Sequence, residues 1–201
     1  VFIYKTALEA IQKAWENVWL WHLKEEPKKH YVLLVMVTIG AVLGVNILLE
    51  LLGMTDKSAA YQQVMADQYS AMLPVGLICY GLVTPIAEEL LFRGIIYNKL
   101  KDYMKLIPAL VVSSALFGMY HGNSVQGIYA FIMGLLMAYL YEYFADFRVP
   151  VAVHILANIL AYTLSFTGVA VSVLVSWPVC FVCLIWAVGS IALLNKDRKV
   201  F

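Results

Sequence analysis

The chain has 201 residues and a formal net charge of +1; 63% of its residues are apolar or aromatic, and 13% are Asp, Glu, Lys or Arg. A typical globular protein carries about 25% charged residues, and a soluble domain of this length could not bury so much apolar surface. These values exclude a secreted disulfide scaffold, a disordered regulator and a basic nucleic-acid-binding protein. We expect membrane lipid as a partner and no nucleic acid.

The first 30 residues differ from the rest of the chain. At 100° per residue, apolar side chains between Tyr4 and Trp19 fall on one helix face, and polar side chains between Lys5 and Glu16 fall on the other. Such a helix is too polar to span a bilayer and suits the membrane–water interface. Residues 1–30 are therefore predicted to form an interfacial amphipathic helix and a basic linker. The alternative is a helix that packs on a soluble partner.

Six apolar runs follow, each close to the roughly 17 to 25 residues that a membrane-spanning helix needs. In chain order they are 31–52, 70–92, 106–121, 125–144, 150–167 and 169–194. The third is short, and the second is expected to continue past residue 92. The pattern predicts an all-α fold over residues 31–201, a polytopic membrane helical bundle of about six spans.

The loops between these runs differ strongly in charge. Six spans place 13 Lys and Arg residues on one side of the membrane and only Lys57 on the other. Because cytoplasmic loops carry an excess of Lys and Arg, we predict an integral, multi-pass membrane protein with both termini in the cytoplasm.

The strongest polar run lies in the second span. Charged groups at bilayer depth cost about 2.5–3.5 kcal/mol each on insertion scales and usually mark function. Glu89 and Arg93 are spaced i,i+4 and are predicted to pair on one helix face, while Glu88 points about 100° away and stays available for other chemistry. The alternative is a solvated cap at the water boundary.

Two further motifs place a histidine at i,i+4 from a second residue on the same helix face. Phe117 and His121 end the third span, where a lone histidine is often merely interfacial. His154 and Asn158 share a face of the fifth span, where they could act as interhelical hydrogen-bonding groups.

Taken together, the three motifs supply the groups needed for hydrolysis. A carboxylate or an imidazole takes a proton from water, and an amide N–H donates to an oxyanion. The sequence has no Gly-x-Ser-x-Gly elbow and no His-Glu-x-x-His zinc motif. Activated water is therefore the better prediction than a side-chain nucleophile.

In this order, the motifs resemble those of the CPBP family, which contains the CAAX proteases and bacteriocin-processing enzymes and is also called the Abi family of membrane peptidases. They are Glu-Glu-x-x-x-Arg at 88–93, Phe-x-x-x-His at 117–121 and His-x-x-x-Asn at 154–158. The similarity covers roughly residues 85–160 and the multi-span architecture. It implies a CPBP-type membrane endopeptidase, either glutamate-dependent or a metallopeptidase.

The resemblance also implies a role for each motif residue. Glu88 would act with His121 to activate water, and His154 and Asn158 would stabilise the oxyanion. The implied supporting residues are Glu89, Arg93 and Phe117.

The family has been described both as zinc-dependent and as glutamate-dependent without metal. Glu88, His121 and His154 could supply three ligands of a catalytic zinc ion with a fourth position for water. They come from three separate helices, however, and lack a short chelating spacing. We favour water activation without a required cofactor, and zinc stays possible.

Two other functions compete with the peptidase. One is a bacteriocin-immunity or scaffold protein of the same fold that acts without turnover. The other is a transporter that uses Glu88 and the two histidines as a proton relay. The motif set argues against the transporter, because a proton relay has no need of Asn158. The expected substrate is a membrane-associated peptide or a lipid-anchored tail, and a CAAX substrate would be prenylated.

Two conditions must hold for the motifs to meet. In a simple six-span arrangement, Glu88 and His154 lie near the cytoplasmic side, whereas His121 ends the third span on the far side. They converge only at mid-depth, which requires the second helix to continue to about residue 99 and His121 to lie below the far surface.

Overall fold

The computed structural model of the chain describes residues 27–167 and 174–198. In this part of the chain every regular element is helical, so the predicted all-α bundle is confirmed. The predicted interfacial helix lies in residues 1–26, outside the described residues, and stays a prediction.

The structure has a core of long apolar helices. In chain order the helices are α1 (Lys28–Leu51), α2 (Met54–Lys57), α3 (Ala59–Tyr69), α4 (Leu73–Lys101), α5 (Leu106–Tyr120), α6 (Ser124–Phe144), α7 (Arg148–Thr167) and α8 (Trp177–Asp197). Among the described residues, α1, α4, α6, α7 and α8 are long and apolar enough to cross a membrane, and α5 is a shorter apolar helix. The chain is therefore an integral membrane protein.

Two predicted boundaries shift for local reasons. The first span begins at Lys28, directly after Pro27, rather than at residue 31. The last span was predicted from residue 169, but α8 begins at Trp177, with Ser176 as its N-cap and Pro178 in its first turn. Proline favours the first turn because its missing N–H is not needed there.

Helix α4 continues to Lys101, so the predicted continuation past residue 92 is confirmed. It contains two π-helical segments, Cys79–Val83 and Leu90–Tyr97, a form that often occurs at functional sites. Glu88 is therefore residue 16 of the 29 residues of α4 and lies at the middle of the helix. This meets the first condition for a site at mid-depth.

Small residues bring the helices together in antiparallel pairs. In α1, a Cβ on Gly40 would lie 2.8 Å from the Cys183 carbonyl oxygen of α8. In α5, a Cβ on Gly118 would lie 2.7 Å from the Gly127 carbonyl oxygen of α6. Membrane helices associate through such close backbone contacts, because lipid tails are as apolar as the side chains that would otherwise drive packing.

Helix α3 was not predicted from the sequence. The Ser58 side chain caps its N-terminus by accepting a hydrogen bond from the Tyr61 backbone N–H. With 11 residues, α3 is too short to cross a membrane. It lies between α1 and α4 and covers one end of the bundle, next to the site described below.

We expect Gly118→Ala to lower the thermal midpoint of the protein in detergent, because the new methyl group forces α5 away from α6. Gly189→Ala in α8 is the matched control, since nothing lies within 4 Å of its Cβ position. The control should keep or slightly raise the midpoint through the better helix propensity of alanine. Equal midpoints for the two variants would argue against the close α5–α6 contact.

Candidate active site

Glu89 lies at the centre of a buried network of charged side chains. Its Oε1 accepts hydrogen bonds from Arg93 Nη1 at 2.8 Å and from His154 Nδ1 at 2.9 Å. Arg93 Nη2 donates to the Gly134 carbonyl oxygen at 3.0 Å. Glu89 and Arg93 are both 0% exposed. The predicted i,i+4 pair therefore exists as a contact, and its carboxylate also orients the His154 ring.

The second ring nitrogen of His154 lies near Glu88. Because a carboxylate only accepts hydrogen bonds, Nδ1 carries the proton that points to Glu89. Nε2 lies 3.6 Å from Glu88 Oε2, too long for a direct hydrogen bond and within the reach of one bridging water. Glu88 is 9% exposed and His154 is 6% exposed, so both groups are held with little access to bulk solvent.

His121 is fixed by the helix that it ends. Its Nδ1 lies 2.9 Å from the Phe117 carbonyl oxygen, one turn earlier in the chain. Since a carbonyl oxygen also only accepts, Nδ1 carries the proton and the lone pair of neutral His121 is on Nε2. The residue is half-buried and lines the same cavity as Glu88.

The length of α5 bears on the depth of His121. The helix has 15 residues, which at 1.5 Å per residue rise about 22 Å. This is less than the hydrocarbon thickness of about 30 Å. A helix this short does not reach both membrane surfaces, and a position of His121 below the far surface stays a prediction.

The Phe117 ring packs against Arg93, His121 and His154. The Arg93 guanidinium lies 4.7 Å from its centroid. The rings of His121 and His154 meet its ring edge-to-face, with centroids 4.9 and 5.6 Å away. Phe117 thus positions both imidazoles without forming a hydrogen bond through its side chain.

Asn158 is anchored to a backbone carbonyl that the first π-helical segment releases. The Thr84 N–H bonds to the Cys79 carbonyl oxygen, five residues back. The next donor in that pattern would be Pro85, which has no N–H. The Tyr80 carbonyl oxygen accepts instead from Asn158 Nδ2 at 2.9 Å. The amide nitrogen keeps its second hydrogen for another acceptor.

One cavity of about 230 Å³ joins these groups. Of the predicted catalytic residues, Glu88, His121, His154 and Asn158 all line it; of the predicted supporting residues, Phe117 does so as well. Glu89 and Arg93 lie behind its wall. The structure therefore brings together all seven predicted site residues, and their catalytic roles stay predictions.

Several cavity-lining residues were missed in the sequence. Helix α3 contributes Tyr61, Val64, Met65, Gln68 and Tyr69. The spacing 61, 64, 65 and 68 places these side chains on one helix face. Because Gln68 is polar and three alanines lie among the other residues of α3, the sequence contains little amphipathic signal. Asn46, Tyr80 and Tyr129 also line the cavity, and nothing in their local sequence distinguishes them.

The predicted zinc ligands do not form a metal site as they stand. In the described part of the chain, no group of three or more His, Cys, Asp and Glu side chains is placed to hold a metal ion. Glu88, His121 and His154 share the cavity without meeting at one point. We therefore derive no step through a metal.

Residues 70–160 match the family of Rce1-like proteins, described as type II CAAX prenyl endopeptidase Rce1-like. Comparison with curated proteins and with solved structures gave no match. The matched segment contains all three motifs, so the resemblance to the CAAX proteases is confirmed for this part of the chain. The family points to a protease, and its members act on prenylated peptides in membranes.

We expect Arg93→Ala to destabilise the protein by about 3–5 kcal/mol, because it strands a buried carboxylate. Lys99→Ala removes an exposed cation that pairs with Asp102 at 3.1 Å and should have little effect. Reversible unfolding in mixed micelles measures both. Normal stability of Arg93→Ala combined with loss of activity would instead give Arg93 a direct role in catalysis.

Proposed function

We propose that this protein is an intramembrane endopeptidase. It hydrolyses a peptide bond in a membrane-associated peptide or protein tail through water activated by Glu88 and His121. The observation that carries this proposal is that a carboxylate and two imidazoles, from three different helices, line one cavity inside a membrane bundle.

The fixed tautomers support the first step. Neutral His121 presents the lone pair of Nε2, and Glu88 presents a carboxylate, so either group is able to accept a proton from water. The attacking oxygen adds to the scissile carbonyl, whose double-bond electrons move to oxygen. The proton held by the base then passes to the leaving amine when the C–N bond breaks.

Asn158 and His154 support the stabilisation of the oxyanion that forms when water adds to the carbonyl. The free amide hydrogen of Asn158 is available to the developing oxyanion. His154 donates from Nε2 only as an imidazolium, since Nδ1–H already points to Glu89. In that form its positive charge lies between the carboxylates of Glu88 and Glu89.

We further propose that both chain termini face the cytoplasm, as the Lys and Arg distribution indicates. Membrane lipid and a peptide or lipid-anchored peptide are the partners. Because the description of the matched family names a CAAX prenyl endopeptidase, a prenylated CAAX peptide is the first substrate to test.

We expect Glu88→Gln to abolish cleavage, because the amide cannot accept the proton from water. The variant should keep the fold, because the amide has the shape of the carboxylate. Loss of a general base costs about 10²–10⁴-fold in rate. The assay uses the purified protein in lipid nanodiscs with a farnesylated, internally quenched CAAX peptide and its unfarnesylated twin. Glu142→Gln is the matched control, since Glu142 pairs with Lys101 outside the cavity.

Unchanged cleavage by Glu88→Gln would contradict the assigned base. Absence of cleavage by the unsubstituted protein, together with a biological effect that Glu88→Gln retains, would favour the immunity or scaffold function.

We expect cleavage to persist after exhaustive chelation, with bound metal below about a tenth of the protein, because Glu88 and His121 need no metal to accept a proton. Elemental analysis of the same sample gives the metal content. Activity that vanishes on chelation and returns in proportion to added zinc would contradict metal-independent catalysis.

A further inference from the structure

The cavity reaches only one end of the bundle within the described part of the chain. Successive helices alternate in direction, so the connections 52–72 and 121–123 lie at the same end as the last turn of α7. Cavity-lining residues at this end are Asn46, Thr55, Gln126 and Ser165. The described connections at the other end, 102–105 and 145–147, contribute no lining residue.

Helix α3 forms the roof of the cavity at this end. Its half-buried residues are the five that line the cavity, and on its outer face Gln62, Gln63 and Asp67 are exposed. The roof is fastened to α7 by Tyr162. The ring of Tyr162 lies 4.9 Å from that of Tyr69, and its hydroxyl donates to the Gln68 carbonyl oxygen at 3.3 Å.

The inner face of the roof is uncharged. Burial raises the pKa of Tyr61 to about 12 and also raises the pKa of Tyr69, so both phenols are neutral at physiological pH. With Val64, Met65 and Gln68 they offer apolar contacts and neutral hydrogen-bonding groups. Such a surface suits a peptide chain without charge at the positions that pass under the roof.

The charge at the two ends of the bundle differs. Lys57 is the one Lys or Arg among the described residues at the roof end. The described basic residues at the other end are Lys28, Lys29, Lys99, Lys101, Lys105, Arg148, Lys196 and Arg198. By the positive-inside rule the second end is cytoplasmic, which places the roof and the cavity mouth on the opposite, extracytoplasmic side.

We propose that the substrate is a peptide segment presented at the extracytoplasmic face of the membrane, and that it enters the cavity beneath α3 in contact with Met65, Gln68 and Tyr69. This inference rests on the proposed peptidase function and narrows its substrate class. A peptide confined to the cytoplasmic face lies at the end where the described connections contribute no cavity-lining residue, whereas a CAAX peptide added to nanodiscs has access to both faces.

Cysteine labelling tests which side of the membrane the cavity mouth faces. The background variant has Cys79, Cys180 and Cys183 replaced by alanine. Gln63→Cys reports the outer face of the roof, and Lys105→Cys reports the opposite end. Right-side-out and inverted vesicles from a bacterial host are treated with a membrane-impermeant maleimide. We expect Gln63→Cys to react only in right-side-out vesicles and Lys105→Cys only in inverted ones. The reverse pattern overturns the inference.

Entry beneath the roof is tested by modifying Gln68→Cys, on the inner face of α3, with a bulky maleimide in nanodiscs. We expect cleavage of whichever quenched peptide the protein accepts to fall at least tenfold. The same modification of Gln63→Cys, on the outer face, should leave the rate unchanged. Equal rates for both modified proteins overturn entry beneath α3.

The two proposals fail in different ways. Cleavage that requires Glu88, combined with the reverse labelling pattern, removes the extracytoplasmic substrate and keeps the peptidase. Absence of cleavage by the unsubstituted protein removes the peptidase and this inference together, while labelling still reports which side the roof faces.

Discussion

The carboxylate of Glu89 joins two helices, and the arrangement of four helices follows from the cost of holding its charge inside a membrane. A buried ion is tolerated only when it is paired and hydrogen-bonded. Arg93 and His154 meet that requirement at a single oxygen. Arg93 in turn bonds to the Gly134 carbonyl oxygen of α6 and packs over Phe117 of α5. This network of contacts connects α4, α5, α6 and α7 at one point.

The irregular geometry of α4 fixes the position of a second site residue, Asn158. Pro85 cannot supply a backbone donor, and the first π-helical segment leaves the Tyr80 carbonyl oxygen for Asn158. A backbone defect in α4 thereby fixes a side chain of α7 beside the cavity. The same long helix carries Glu88 at its middle, so one element supplies the candidate base, the buried pair and the anchor for the amide.

The spans, the three motifs and the i,i+4 relation of Glu89 to Arg93 could all be predicted, because apolar length and helical spacing are properties of adjacent residues. The continuation of α4 past residue 92 was predicted for the same reason. The bond from Glu89 to His154 could not be predicted, since 65 positions separate the two residues and only the packing of α4 against α7 brings them together. Helix α3 could not be predicted from its own pattern either, since apolar and polar residues are hardly separated between its two faces.

The sequence by itself determined that the chain is a membrane helical bundle, that its polar residues fall into three motifs and that its basic residues gather at one end. Each of these depends on composition or on short spacing. Tertiary structure alone decided that the motifs share one cavity and that a helix with an uncharged inner face covers its mouth. Helix crossings set these features through backbone contacts such as Gly118 against Gly127. The physical reason is that a contact between helices depends on how two surfaces fit, and no run of neighbouring residues encodes that fit.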